Sequence, residues 1–120
     1  MDNFVDNRGR KSHNKRELCL FYSNITSFEK LLFTKQNIQI LIIIGQRDIN
    51  SFNAVSELFQ LQELWIVECG IKEVPFFKEN CLLRKLYLYS NEISCIPNLE
   101  VCSHLITLYL SRNNVTDFEV

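Results

Sequence analysis

The chain is poor in glycine, proline, methionine and histidine, with three, two, one and two of each in 120 residues. No glycine-rich loop exists to cradle a phosphate, and no H-E-x-x-H pair exists to hold zinc. His13 lies in a polar N-terminal segment, and His104 immediately precedes Leu105, where a surface or capping role suits it better than catalysis. The longest apolar run, Ile40 to Ile44, is far below the roughly 20 residues of a membrane-spanning helix. The opening stretch MDNFVDNRGRKSHNKRE lacks the apolar core of a signal peptide, so a cytoplasmic setting is the expectation, with a nuclear one as the alternative. The sequons Asn24-Ile25-Thr26 and Asn114-Val115-Thr116 are then expected to be chance matches. Five cysteines make an odd count without a C-x-x-C pair, which predicts free thiols in a reducing compartment rather than a disulfide frame or a zinc site.

What is present is apolar and globular: 47% hydrophobic against 22% charged residues. Net charge is −1 but unevenly placed. Residues 1–16 carry five basic and two acidic side chains, and the remainder carries eight basic and twelve acidic. The body is mildly acidic, which argues against a nucleic-acid groove there.

The dominant signal is internal repetition. Leu83-xx-Leu86-x-Leu88-xx-Asn91-x-Ile93 returns as Leu105-xx-Leu108-x-Leu110-xx-Asn113-x-Val115, and earlier as Leu61-xx-Leu64-x-Ile66-xx-Cys69-x-Ile71. Before these come Ile42-x-Ile44-xx-Arg47-x-Ile49 and Leu18-x-Leu20-xx-Ser23-x-Ile25. The aligned residues Ile25, Ile49, Ile71, Ile93 and Val115 are spaced 24, 22, 22 and 22. The pattern L-x-x-L-x-L-x-x-N/C-x-L resembles the leucine-rich repeat superfamily over about residues 17–120, and the 22-residue length resembles its phosphatase-regulator-like class. The resemblance implies a right-handed α/β solenoid of five coils. Short parallel strands would line the concave face, and 3-10 or irregular turns with a short helix would form the convex face.

Each slot has a physical reason. In L-x-L, alternate side chains leave opposite faces of a strand, so Leu86 and Leu88 point inward and Tyr87 outward. Asn91 and Asn113 suit the turn after the strand, where a side-chain amide can satisfy backbone groups of neighbouring coils. Cys69 is a weaker substitute, Ser23 weaker still, and Arg47 departs from the pattern, making the second coil the least regular. Beyond the turn, apolar residues recur every three positions, as in Phe52, Val55, Leu58 and Leu61, or Ile96, Leu99, Cys102 and Leu105. Val55 to Gln62 is the best candidate for helical turns, and Pro75 and Pro97 suit the start of a convex segment that needs no amide donor. Residues 1–16 read as a flexible basic tail in which Phe4 and Val5 could touch the first coil. The chain stops two residues after Phe118, which reads as a fragment or short isoform of a longer, uncapped array.

Outward strand positions form columns: Cys19, Ile43, Trp65, Tyr87 and Tyr109; then Phe21, Gly45, Val67, Tyr89 and Ser111; then Glu17, Leu41, Glu63, Lys85 and Thr107. The candidate partner-binding residues are Phe21, Glu63, Trp65, Val67, Lys85, Tyr87, Tyr89, Thr107 and Tyr109. Trp and Tyr dominate interface hot spots, at about 2 kcal/mol or more each when anchored. The same residues also have high β-propensity and pair well across strands, so both readings stand at this stage. No cysteine has a positioned histidine and carboxylate beside it, so no nucleophile, cofactor or metal site is expected. The expectation is a non-catalytic module that takes a protein partner on its concave face, with no small-molecule substrate, no membrane contact, and nucleic acid touched only through the N-terminal tail. The resemblance implies a scaffold or targeting role in the range its relatives cover, which includes cilia, the phosphatase machinery and the cytoskeleton. Other relatives serve ribonucleoprotein particles, which keeps RNA binding or nuclear targeting by the tail as an alternative.

Overall fold

One short strand per repeat, paired in parallel with the next, builds the molecule. The computed structural model describes residues 16–119 except 24, 26 and 80. The expected basic tail apart from Arg16, with Phe4, Val5 and His13, and the Asn24 sequon lie outside the described residues. Strands β1 (Glu17–Phe21), β2 (Ile40–Ile44), β3 (Glu63–Val67), β4 (Lys85–Tyr87) and β6 (Thr107–Tyr109) form one sheet in the order β1-β2-β3-β4-β6. Every neighbouring pair in it is parallel, so each connection must carry the chain back to the start of the next strand, which makes a coil. A second ladder, β5 (Cys95–Ile96) with β7 (Asp117–Phe118), joins the return segments of the last two coils.

The core lies between the sheet and these returns. Leu64, Ile66, Leu86 and Leu88 are fully buried beneath the sheet, where Leu83 and Ile93 meet them. Burying each such side chain contributes roughly 1.5–3 kcal/mol. The turn slots behave as their chemistry requires. The Asn91 oxygen accepts from the amides of Cys69 (3.0 Å) and Ile71 (3.3 Å), and its nitrogen donates to the carbonyls of Ile66 (2.7 Å), Leu88 (2.9 Å) and Tyr89 (3.2 Å). Asn113 repeats the arrangement one coil on, accepting from Ile93 and donating to Leu88 and Leu110. The Cys69 thiol donates to the Val67 carbonyl at 3.3 Å.

The second coil is shifted by one residue from the frame expected of it. Leu41 pairs with Leu64 and Ile43 with Ile66, and both are fully buried, whereas Ile42 opposes Trp65 and Ile44 opposes Val67. Gln46, not Arg47, occupies the turn slot, where its amide donates to the Ser23 carbonyl at 2.8 Å. The run Ile40–Ile44 is apolar in either register, so hydrophobicity does not choose between them. The backbone does. Immediately before the turn slot every coil carries one residue in the left-handed region: Tyr22, Gly45, Glu68, Ser90 and Arg112, with φ of 50°, 73°, 56°, 59° and 59°. Glycine enters that region without steric penalty, and Gly45 therefore pins the register. Measured from Leu18 through Leu41, Leu64, Leu86 and Leu108, the coils are 23, 23, 22 and 22 residues long.

The helical assignments also move. The helix expected within Val55 to Gln62 is a 3-10 helix at Asn53–Glu57, and the α-helix α1 is Phe28–Phe33 in the first coil. Ser27 caps α1 by accepting from the Lys30 amide at 3.4 Å, and Phe28 and Leu32, four residues apart, are both buried. Phe28 meets Phe52 of the next coil edge to face at 5.2 Å between ring centroids. Asn53 ties coil two to coil three by accepting from the Phe76 amide at 2.8 Å.

Candidate functional site: an aromatic plate on the open sheet face

Strand alternation puts Trp65, Tyr87 and Tyr109 in register on β3, β4 and β6, on the face opposite the buried leucines. Tyr89 follows β4 on the same face, with the ladder extended around it by bonds from Leu88 N to Tyr109 O and from Ser90 N to Ser111 O. Trp65 and Tyr87 stack with centroids 4.0 Å apart and planes 25° apart. The other contacts are edge to face: Trp65 with Tyr89 at 6.4 Å, Tyr87 with Tyr109 at 6.1 Å, and Tyr89 with Tyr109 at 5.7 Å. The four rings close a quadrilateral. Neighbouring strands lie about 4.8 Å apart, a spacing close to that of stacked rings. Tyr109 keeps 52% of its surface exposed, and the other three are half-buried by each other.

The rim is polar. Glu63 accepts from the Trp65 indole nitrogen at 2.7 Å and fixes that ring's orientation. Lys85 follows Glu63 in the register, and Thr107 follows Lys85. No hydrogen-bond partner among the described residues engages the hydroxyls of Tyr87, Tyr89 or Tyr109. The plate therefore offers apolar ring faces, free phenol groups and one charge of each sign, a combination suited to holding a protein surface.

Not every expected site residue joins it. Val67 sits in the outward register but is only 3% exposed, which removes it from the contact surface. Phe21 is half-buried at the end of β1 and is separated from the rings by the columns of Ile44 and Val67. Cys19 shares the column of Trp65 yet is wholly buried, its thiol within hydrogen-bonding distance (3.2 Å) of the Glu17 carboxylate. In the second coil the outward residues are Ile40, Ile42 and Ile44, in place of Leu41, Ile43 and Gly45.

Two relationships had no signal in the repeat pattern. The Tyr22 ring lies across Gly45, where a Cβ would overlap it, and its hydroxyl donates to Glu68 at 3.2 Å, two coils away. That hydrogen bond, with the carboxylate's charge, holds the Tyr22 phenol above its usual range. On the return side the Cys81 and Cys102 sulfurs lie 3.8 Å apart. Among the described residues no group of three or more His, Cys, Asp or Glu side chains is placed to hold a metal ion, and no helix is long and apolar enough to cross a membrane.

Comparison with known proteins agrees with this architecture. The family described as leucine-rich repeats (two copies) matches residues 81–120. Leucine-rich repeat-containing G-protein coupled receptor 4 of Xenopus tropicalis is 31% identical over 85 residues, which cover 69% of this chain and 9% of the receptor. The chain thus spans about a tenth of that relative's length. No solved structure matches significantly.

Proposed function

We propose that this chain is a non-catalytic recognition module that receives a protein partner on the open, concave face of its sheet. The chain carries leucine-rich repeats folded as a short α/β solenoid, and such repeats generally bind proteins. The observation that carries the proposal is the plate of Trp65, Tyr87, Tyr89 and Tyr109, rings gathered on the face away from the core, the three tyrosine hydroxyls unpartnered among the described residues. Glu63, Lys85 and Thr107 supply the polar rim. A scaffold or targeting role in a cytoplasmic assembly, ciliary or cytoskeletal, belongs to the same proposal. So does a finer kinship with the 22-residue phosphatase-regulator-like class, in particular with the N-terminal part of leucine-rich repeat-containing protein 9, supported by repeat residues alone.

The test compares proteins retained by the immobilised full chain and by Trp65→Ala/Tyr87→Ala. The double variant is expected to keep the far-UV circular dichroism spectrum and lose the specific partner. An unchanged set of retained proteins sinks the reading. The charge excess of residues 1–16 favours one alternative, phosphate contacts with RNA. RNA retention that disappears on deleting those residues and falls steeply with salt would establish it.

A further inference from the structure

We propose that Cys81 and Cys102 form a hydroperoxide-sensitive dithiol, in which Cys81 is the attacking thiol and Cys102 the resolving one. The two cysteines enter successive coils, and their sulfurs lie 3.8 Å apart, close enough for side-chain rotation to reach the roughly 2.05 Å of a disulfide. Their surroundings differ. Cys102 is buried in the apolar core, whereas Cys81 is half-buried and lines a 290 Å³ cavity with Val55, Leu58, Phe59, Phe77 and Lys78. Lys78 is itself tied across this cavity to Glu57. A small uncharged oxidant can therefore reach the first sulfur and not the second. Cys19 and Cys69 are both buried, and Cys95 contacts no second sulfur among the described residues.

The direction of the electrostatics accords with these roles. The hydrogen bond between the two sulfurs brings the Cys81 thiol down against the effect of burial, helped by a backbone hydrogen bond from Leu83. The same bond, with burial, pushes the Cys102 thiol up. A lowered attacking thiol beside a raised resolving one is the order such a pair uses.

The chemistry balances with a hydroperoxide as the named oxidant. The Cys81 thiolate attacks one peroxide oxygen; an S–O bond forms, the O–O bond breaks, and the departing hydroxide takes a proton from solvent to become water. Cys102 then attacks the Cys81 sulfur as its own proton leaves. The S–S bond forms, the S–O bond breaks, and the second hydroxide departs with that proton as water. Two thiols lose two electrons, and the peroxide is reduced. The product staples the entry of the fourth coil to that of the fifth. This proposal does not depend on the aromatic face.

The test treats the full chain with hydrogen peroxide near pH 7, blocks the remaining thiols after denaturation, and maps peptides by mass spectrometry. The expected result is the loss of two hydrogens and a Cys81–Cys102 linked peptide, with Cys81 reacting at least about tenfold faster than Cys95. In Cys102→Ala, Cys81 should instead accumulate as a sulfenic acid trapped by dimedone; in Cys81→Ser, Cys102 should stay reduced. The wild-type map needs no variant to fold. Equal rates at Cys81 and Cys95, or a linkage through any other pair, overturns the proposal.

Discussion

The side-chain oxygen of Asn91 accepts from the backbone amide of Cys69, one coil earlier, at 3.0 Å. The same oxygen also accepts from the Ile71 amide, and the side-chain nitrogen donates to three carbonyls on β3 and just beyond β4, so a buried side chain replaces ladder bonds where the strands have ended. Asn91→Ala should leave these groups unpartnered away from water, and we expect a loss of about 3 kcal/mol or more in urea unfolding. Asn113→Ala should cost roughly half as much, because that residue is only half-buried and water can replace it. Equal losses at the two positions would contradict this account.

The one-residue shift in coil two makes opposite forecasts for adjacent isoleucines. Ile43 has no exposed surface, so Ile43→Ser should cost about 3 kcal/mol or more. Ile42 faces outward beside Trp65, and Ile42→Ser should cost about 1 kcal/mol or less. Thermal denaturation of the two variants decides it, and the reverse order would restore the frame drawn through Arg47.

The left-handed series yields stabilising changes. Ser90 and Arg112 hold φ near 59° without a glycine's freedom. Ser90→Gly and Arg112→Gly should each gain about 0.5 kcal/mol, a net of relieved strain over added chain entropy. Gly45→Ala should do the opposite by about 1 kcal/mol or more, and should also displace the Tyr22 ring. Urea midpoints at fixed slope report all three.

Burial pushes the Cys69 thiol up, against backbone hydrogen bonds that lower it. The folded chain therefore keeps this proton to higher pH than the unfolded chain does. The resulting stability is whole below the ordinary thiol pKa of about 8.5 and is lost as pH rises through the folded value. In urea unfolding from pH 7 to pH 10, Cys69→Ala should start lower and decline less steeply. A parallel decline in both proteins would count against the assignment.

Much of this was legible because the repeat writes the same instruction several times. Leu86 and Leu108 share their inward register, Asn91 and Asn113 share a bonding pattern, and Trp65, Tyr87 and Tyr109 fall in one column for the same reason. Legibility failed where redundancy did. Coil two has an apolar residue at every position of Ile40–Ile44, so alternation carried no information, and the deciding feature was a backbone angle at Gly45. The α-helix at Phe28–Phe33 was missed because Ser27 and the Phe28–Leu32 pair occur in one coil only. Val67 and Phe21 were counted as contact residues from strand parity, which reports the face but not what neighbouring side chains cover. Cys81 falls outside the three-residue apolar row, so its meeting with Cys102 depended on the path of a loop.

Stacked coils ordinarily loosen one at a time from a free end, since each leans only on the coil beside it. The reach of Tyr22 over Gly45 to Glu68 breaks that rule at the first three coils. Peeling away the first strand also releases a tether on the third, and the middle coil lies beneath the clasp that joins its neighbours. Hydrogen exchange at amides of these three coils should accordingly merge into a single opening event, where a simple stack would give a graded series.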